Sequence, residues 1–301
     1  MIAVSTVWNA ARHGGYASAV RELTGLGHRA VALDGDALHG DAAAAARDAQ
    51  AAKGRIVVLF APRPRAAARR VAGELAPALC APREETRDVA VRAALAAADA
   101  AVRAGTPRVV LRAGRLPEIE GGDRETVWVD RMHTEGASDA LRADVRRTLV
   151  AERSDRERAL DGLCRSLHAL SRARPEVHWL LETPDSPTGL PLPAETEHVL
   201  DDLRGRRLGY WHDAAHAARL GVLGAASPDE WLGRLAAATA GVTLADWSPI
   251  ADRMPPGSGH VQWRALRFQM REGMFRVLAL DPEYPAALLD DTLREVRNLG
   301  F

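Results

Sequence analysis

Eight short apolar, β-branched runs recur along this chain, and a longer stretch with Leu, Ala and Val at helical spacing lies between most of them. The runs are Ile2–Val7, Arg29–Leu33, Arg55–Phe60, Arg108–Leu111, Val177–Leu181, Arg207–Trp211, Gly241–Ala245 and Phe275–Leu280. The helical patterns include Ala17–Leu26, Arg83–Arg103, Ser154–Arg172, Pro228–Thr239 and Ala286–Asn298. Strands alternating with helices specify a parallel sheet with crossover connections, and eight such units close on themselves. The expectation is one (β/α)8 barrel spanning residues 1–301, a length that suits this architecture as a single domain. The Ala-rich segment 41–52 fits a surface helix.

Two insertions interrupt the rhythm, Gly114 to Ser138 after the fourth strand and Trp247 to Gln262 after the seventh. Loops that follow strands lie at the C-terminal mouth of a parallel barrel, so both are expected to wall or cover a pocket there. Lys plus Arg number 40 and Asp plus Glu 40, so no global field draws the chain to nucleic acid or to an anionic membrane. The two cysteines, Cys80 and Cys164, are far apart and form no CxxC, which argues against a disulfide framework or a thiolate zinc site. The N-terminal residues lack a signal-peptide pattern, and no apolar run approaches a membrane span. A cytoplasmic protein with no membrane partner is expected.

Side chains at strand ends converge on one mouth. Here those ends carry Trp8 and Asn9, Asp34 and Asp36, Arg63, Arg112 and Arg115, Glu182, His212 and Asp213, Asp246 and Trp247, and Asp281. Single polar residues at such positions often only cap helices. Glu182 stands out because it terminates the apolar run His178-Trp179-Leu180-Leu181, where burial penalises a carboxylate unless a cation or a proton accompanies it. Asp213 at the next strand tip and His216 one turn later aim at the same mouth, a geometry suited to a divalent ion or a sugar hydroxyl. A histidine bonded to an aspartate at a helix start explains the same spacing, as a structural ion pair explains Arg112 and packing explains Trp8, Trp211 and Trp247.

The segment Tyr210-Trp211-His212-Asp213-Ala214-Ala215-His216-Ala217 with Leu220-Gly221 is similar to the WHDxGHA…LG motif of xylose-isomerase-like TIM barrels, the sugar phosphate isomerase/epimerase family. Asp246, then Asp252 through Trp263 with its Pro-Pro-Gly-Ser-Gly, resembles the family's seventh-strand and PGxG stretch, and Val109 to Gly114 resembles its fourth-strand end. The resemblance implies a divalent ion (Mn, Mg, Co or Zn) on Glu182, Asp213 and Asp281. It also implies Glu182 and Asp281 as the acid/base pair, and no organic cofactor. Contacts to a small sugar, sugar acid or polyol fall on Arg112, His216, Asp246, Trp8, His212 and Trp247. The chain departs from the family at the seventh-strand His-x-His-Asp, which reads Thr243-Leu244-Ala245-Asp246, at the eighth-strand Glu, which is Asp281, and at the fourth-strand His, which is Arg112. A lost imidazole and a shorter carboxylate disfavour a d-block ion, and Arg112 offers a fixed positive charge in its place.

The leading expectation is an isomerase or epimerase; its rival is a barrel that binds a small anion or sugar without turnover. A lyase acting on an acidic substrate would use the same groups. An endonuclease would require His-rich zinc ligands and a basic surface, which this neutral chain lacks. Barrels of this family often pair, so a homodimer is an open expectation.

Overall fold

The computed structural model describes residues 1–36, 38–62, 78–116 and 124–301. Arg63 and part of the first insertion lie outside the described residues. Eight parallel strands close a barrel: β1 (Ile2–Ser5), β2 (Ala30–Asp34), β3 (Arg55–Phe60), β4 (Arg108–Leu111), β5 (His178–Glu182), β6 (Leu208–Asp213), β7 (Thr239–Leu244) and, after a short hairpin, β10 (Phe275–Leu278). The order around the barrel is β1-β10-β7-β6-β5-β4-β3-β2. Each strand lies within a residue or two of its run in the sequence, since these segments are apolar enough to be buried on both faces.

Around the strands run α1 (Tyr16–Gly25), α2 (Ala42–Ala51), α3 (Glu84–Arg103), α4 (Arg124–Glu135), α5 (Asp139–Ala151), α6 (Arg153–Ala173), α7 (Pro193–Asp202), α8 (Ala214–Val222), α9 (Pro228–Leu235), α10 (Trp263–Gln269) and α11 (Leu289–Asn298). Alternation along the strands sorts the core into two layers. Val4, Val31, Leu59, Val109, Trp179, Leu181, Tyr210 and Val242 face the helices. Ala3, Ala32, Val58, Phe60, Val110, Leu180, Trp211 and Val277 fill the barrel itself. Trp211 is the plug of this interior: its ring meets Phe60 edge-on at 5.4 Å, its Nε1 donates to Thr243 Oγ1 at 2.8 Å, and a Cβ on Gly241 would lie 2.4 Å from it. Gly241 is therefore glycine because the indole occupies the place of its side chain.

The two insertions pack on each other. Trp247, in β8 (Asp246–Ser248), joins Trp128 and Met132 of α4 and Leu141 and Val145 of α5 in one buried cluster. β8 pairs antiparallel with β9 (Ala251–Met254), and His133 Nε2 meets the Pro249 carbonyl at the tip of this hairpin. Both cysteines are unpaired thiols, and burial pushes Cys80 up to about 12. No helix among the described residues is long and apolar enough to cross a membrane.

Candidate active site

Strand parity decides which polar side chains share the mouth. Arg112 continues the inward series of Val110, Glu182 that of Leu180, and Asp213 that of Trp211. The chain thus brings one arginine and two carboxylates together from three adjacent strands.

Arg112 Nε donates to Glu182 Oε2 at 2.6 Å, and its Nη1 bonds Asp36, on the loop after β2. Burial alone would lower the guanidinium's pKa, but Glu182, Asp34 and Asp36 outweigh it and fix the positive charge. On Glu182 burial acts in the opposite sense: its side chain is 2% exposed, and burial raises its pKa despite the opposing pull of Arg112 and His216. The second oxygen, Oε1, takes no hydrogen bond from the described residues.

Asp213 is the N-cap of α8, where Oδ1 accepts from the His216 backbone N–H at 3.0 Å. His216 Nδ1 lies 3.0 Å from the Thr183 carbonyl, which places the ring proton on Nδ1 and leaves Nε2 to the mouth. Burial would lower the pKa of His216, yet Asp213, Glu182, Asp185 and Asp252 together raise it. Thr183, directly after Glu182, ties the group together: its hydroxyl accepts from the Asp213 N–H at 2.9 Å and meets the Tyr210 hydroxyl at 2.5 Å. Tyr210 in turn bonds His212 Nδ1 at 3.0 Å.

Several residues expected at the mouth are placed elsewhere. His212 is one position out of phase with Trp211 and Asp213, so it faces the helix layer beside Tyr210, and burial pushes its pKa down to about 3. Trp8 is wholly buried, with Nε1 donating to the Tyr284 carbonyl at 2.8 Å and Arg12 over its ring. Trp247 is buried under α4. Asp246 accepts four N–H groups, from Trp247, Gly257, Val261 and Trp263 Nε1 at 2.8–3.0 Å, which fills the carboxylate and makes it the anchor of the 255–263 loop. Asp281 lies exposed beyond β10, in a turn where its carboxylate accepts from the Glu283 N–H.

These donors do not fit a divalent ion. Glu182 is committed to a guanidinium, Asp281 to a surface turn, and among the described residues no three His, Cys, Asp or Glu side chains stand together as ligands. Sequence reasoning did not single out Thr183 or Tyr210; the rule that strand-end residues build the mouth reaches Thr183, whereas Tyr210 is visible only through packing.

The sequence matches the xylose isomerase-like TIM barrel family over residues 20–299, and the chain belongs to that family. Among solved structures it is similar to a 3-keto-D-glucoside 4-epimerase from E. coli (15% identity, TM-score 0.66, 99% of this chain and 98% of that one). It is also similar to a D-psicose 3-epimerase from Clostridium cellulolyticum H10 (9%, 0.64, 99% and 98%) and to a family 2 AP endonuclease from Brucella melitensis (15%, 0.60, 99% and 98%). Among curated proteins none matches the sequence.

Proposed function

We propose that this barrel isomerises a small sugar-like hydroxycarbonyl compound by proton transfer at Glu182, with Arg112 supplying the positive charge that the reaction needs. The observation that carries this reading is the buried Arg112–Glu182 contact at 2.6 Å, with His216 in the same electrostatic environment. A proton on a carbon beside a carbonyl leaves only if the developing enediolate oxygen is stabilised, and a preformed guanidinium in a water-poor mouth does this. Glu182, its affinity for protons raised by burial, takes that proton and returns it. His216 Nε2 donates to or accepts from the oxygen whose charge changes. One carboxylate shuttling a proton on one face suits a shift between neighbouring carbons, and Asp281 in its surface turn supports no second base. Family membership and the epimerases among the similar folds support the substrate class.

The test is exchange of substrate C–H for deuterium in D2O across a panel of ketoses and aldoses, followed by NMR. Glu182→Gln is expected to slow exchange by roughly 100-fold or more, the scale of a lost general base. Equal exchange by wild type and Glu182→Gln removes Glu182 as the base. The absence of Asp281 from the mouth favours one alternative, a barrel that binds such compounds without turnover; saturable binding with no exchange by the wild type would establish it.

A further inference from the structure

The opposite mouth of the barrel is built from the residues that open the strands. Arg108 pairs in register with His178, and the pairing of Trp179 with Leu208 brings Arg207 level with His178. The alternation that carries Arg112 and Glu182 inward at the top carries Arg108 and His178 inward at the bottom. Gly209 makes room there, since a Cβ on it would lie 2.9 Å from His178 Nε2. The Arg108 guanidinium lies 4.6 Å from the centroid of the Phe275 ring, at the start of β10. Arg55 opens β3 beside them, and both Arg55 and Arg207 are exposed. Trp211, fully buried, separates this floor from the mouth that holds Glu182.

The floor holds cations without acids. Arg108 makes two long contacts, 3.4 Å to the Val57 carbonyl and 3.4 Å to Thr106 Oγ1, and Arg207 donates to the Glu176 carbonyl. Among the described residues no carboxylate lies within ion-pair distance of Arg55, Arg108 or Arg207, whereas Arg12, Arg112, Arg156 and Arg174 all have one. Burial, then Arg55 and Arg207, lower the pKa of Arg108; burial, then Arg207 and Arg108, lower that of His178. Half-sheltered cations gathered with no counter-charge are stabilised by whatever anion enters among them.

We propose that this floor binds a compact oxyanion of the phosphate type, free or as an ester, at a site separate from the reaction mouth. Guanidinium forks match the oxygen edges of such a group; Arg108 on β4 and Arg207 before β6 flank His178 on β5, two strand spacings or about 10 Å apart at the backbone, a gap their long side chains can close around one tetrahedral anion. The exposed Arg55 and Arg207 form its entrance from solvent.

The test is isothermal calorimetry of the full chain with inorganic phosphate, with total ionic strength held constant by sodium chloride. One saturable site is expected, weakened at least about tenfold in Arg108→Leu and in Arg207→Ala, and changed less than about twofold in Arg112→Met at the other mouth. Arg207 is exposed, so its variant keeps the experiment readable if Arg108→Leu does not fold. Repeating the titration with glycerol phosphate separates the sources: tighter binding assigns an ester, equal or weaker binding assigns free phosphate. Absence of saturable binding by either anion overturns the site. So does binding that survives the two floor substitutions combined, or binding lost only in Arg112→Met.

Discussion

Asp246 and Asp281 both follow barrel strands, and their surroundings give them opposite weights. Asp246 is fully buried and accepts four N–H groups; Asp281 is exposed and accepts one. Asp246→Asn turns one acceptor into a donor that faces N–H groups. A loss of about 2–4 kcal/mol is expected, from the cost of unsatisfied buried partners, measured by urea unfolding followed by tryptophan fluorescence. Asp281→Asn should stay within about 0.5 kcal/mol in the same assay. That Glu182, Arg112, Asp213 and His216 gather at one mouth was legible in the sequence, because strand parity and the strand ends bring them there; what they do is not read from position. His212 was misplaced because strand parity was not carried through: if Glu182 and Asp213 face in, His212 faces out. Asp246 and Trp8 were misplaced because their partners, Trp263 and Tyr284, are remote in sequence, and nothing local shows that their polar atoms are already used.

Strands and helices were legible wherever burial imposes a period, and less so where a tertiary contact does. β8 and β9 are three and four residues long, β9 is partly exposed, and the Asp246 carboxylate holds the following loop to them, so no periodic signal marks the hairpin. Gly259 shows how tight that wrap is, for a Cβ there would lie 2.4 Å from Asp246 Oδ1. The barrel strands carry a comparable constraint where β6 meets β7 around the Trp211 ring. Gly241→Ala forces a methyl group into that ring, and overpacking of this kind costs about 1–3 kcal/mol. Trp211→Leu in the same chain vacates the space, so the double variant is expected to lose less than the sum of the singles. A double-mutant cycle by urea unfolding reads this coupling, and simple additivity would mean that the strands move apart to accept the methyl.

Across the whole molecule, buried histidines set the response to acid. His212 has a folded pKa of about 3 against about 6.5 in an unfolded chain, because its ring is buried beside Tyr210 and near His216. Between these values the unfolded state holds the extra proton, so this group's contribution is present above pH 6.5 and is lost as pH falls, at up to about 1.4 kcal/mol per pH unit. His28 and His178 are shifted in the same direction, mainly by burial. His216 opposes them: its folded pKa is raised, so its contribution is present at low pH and lost as pH rises through that value. His212 is the most buried of the downward-shifted three and bears no charge at neutral pH, so it should dominate the loss from pH 6.5 to 5. Thermal midpoints of wild type and His212→Gln, measured across that range, should converge as pH falls, because glutamine can bond Tyr210 without a protonation penalty. Parallel curves for the two proteins would show that His212 takes up its proton without unfolding the barrel, and would leave the acid sensitivity to His28 and His178, whose pKa values are also held down by burial.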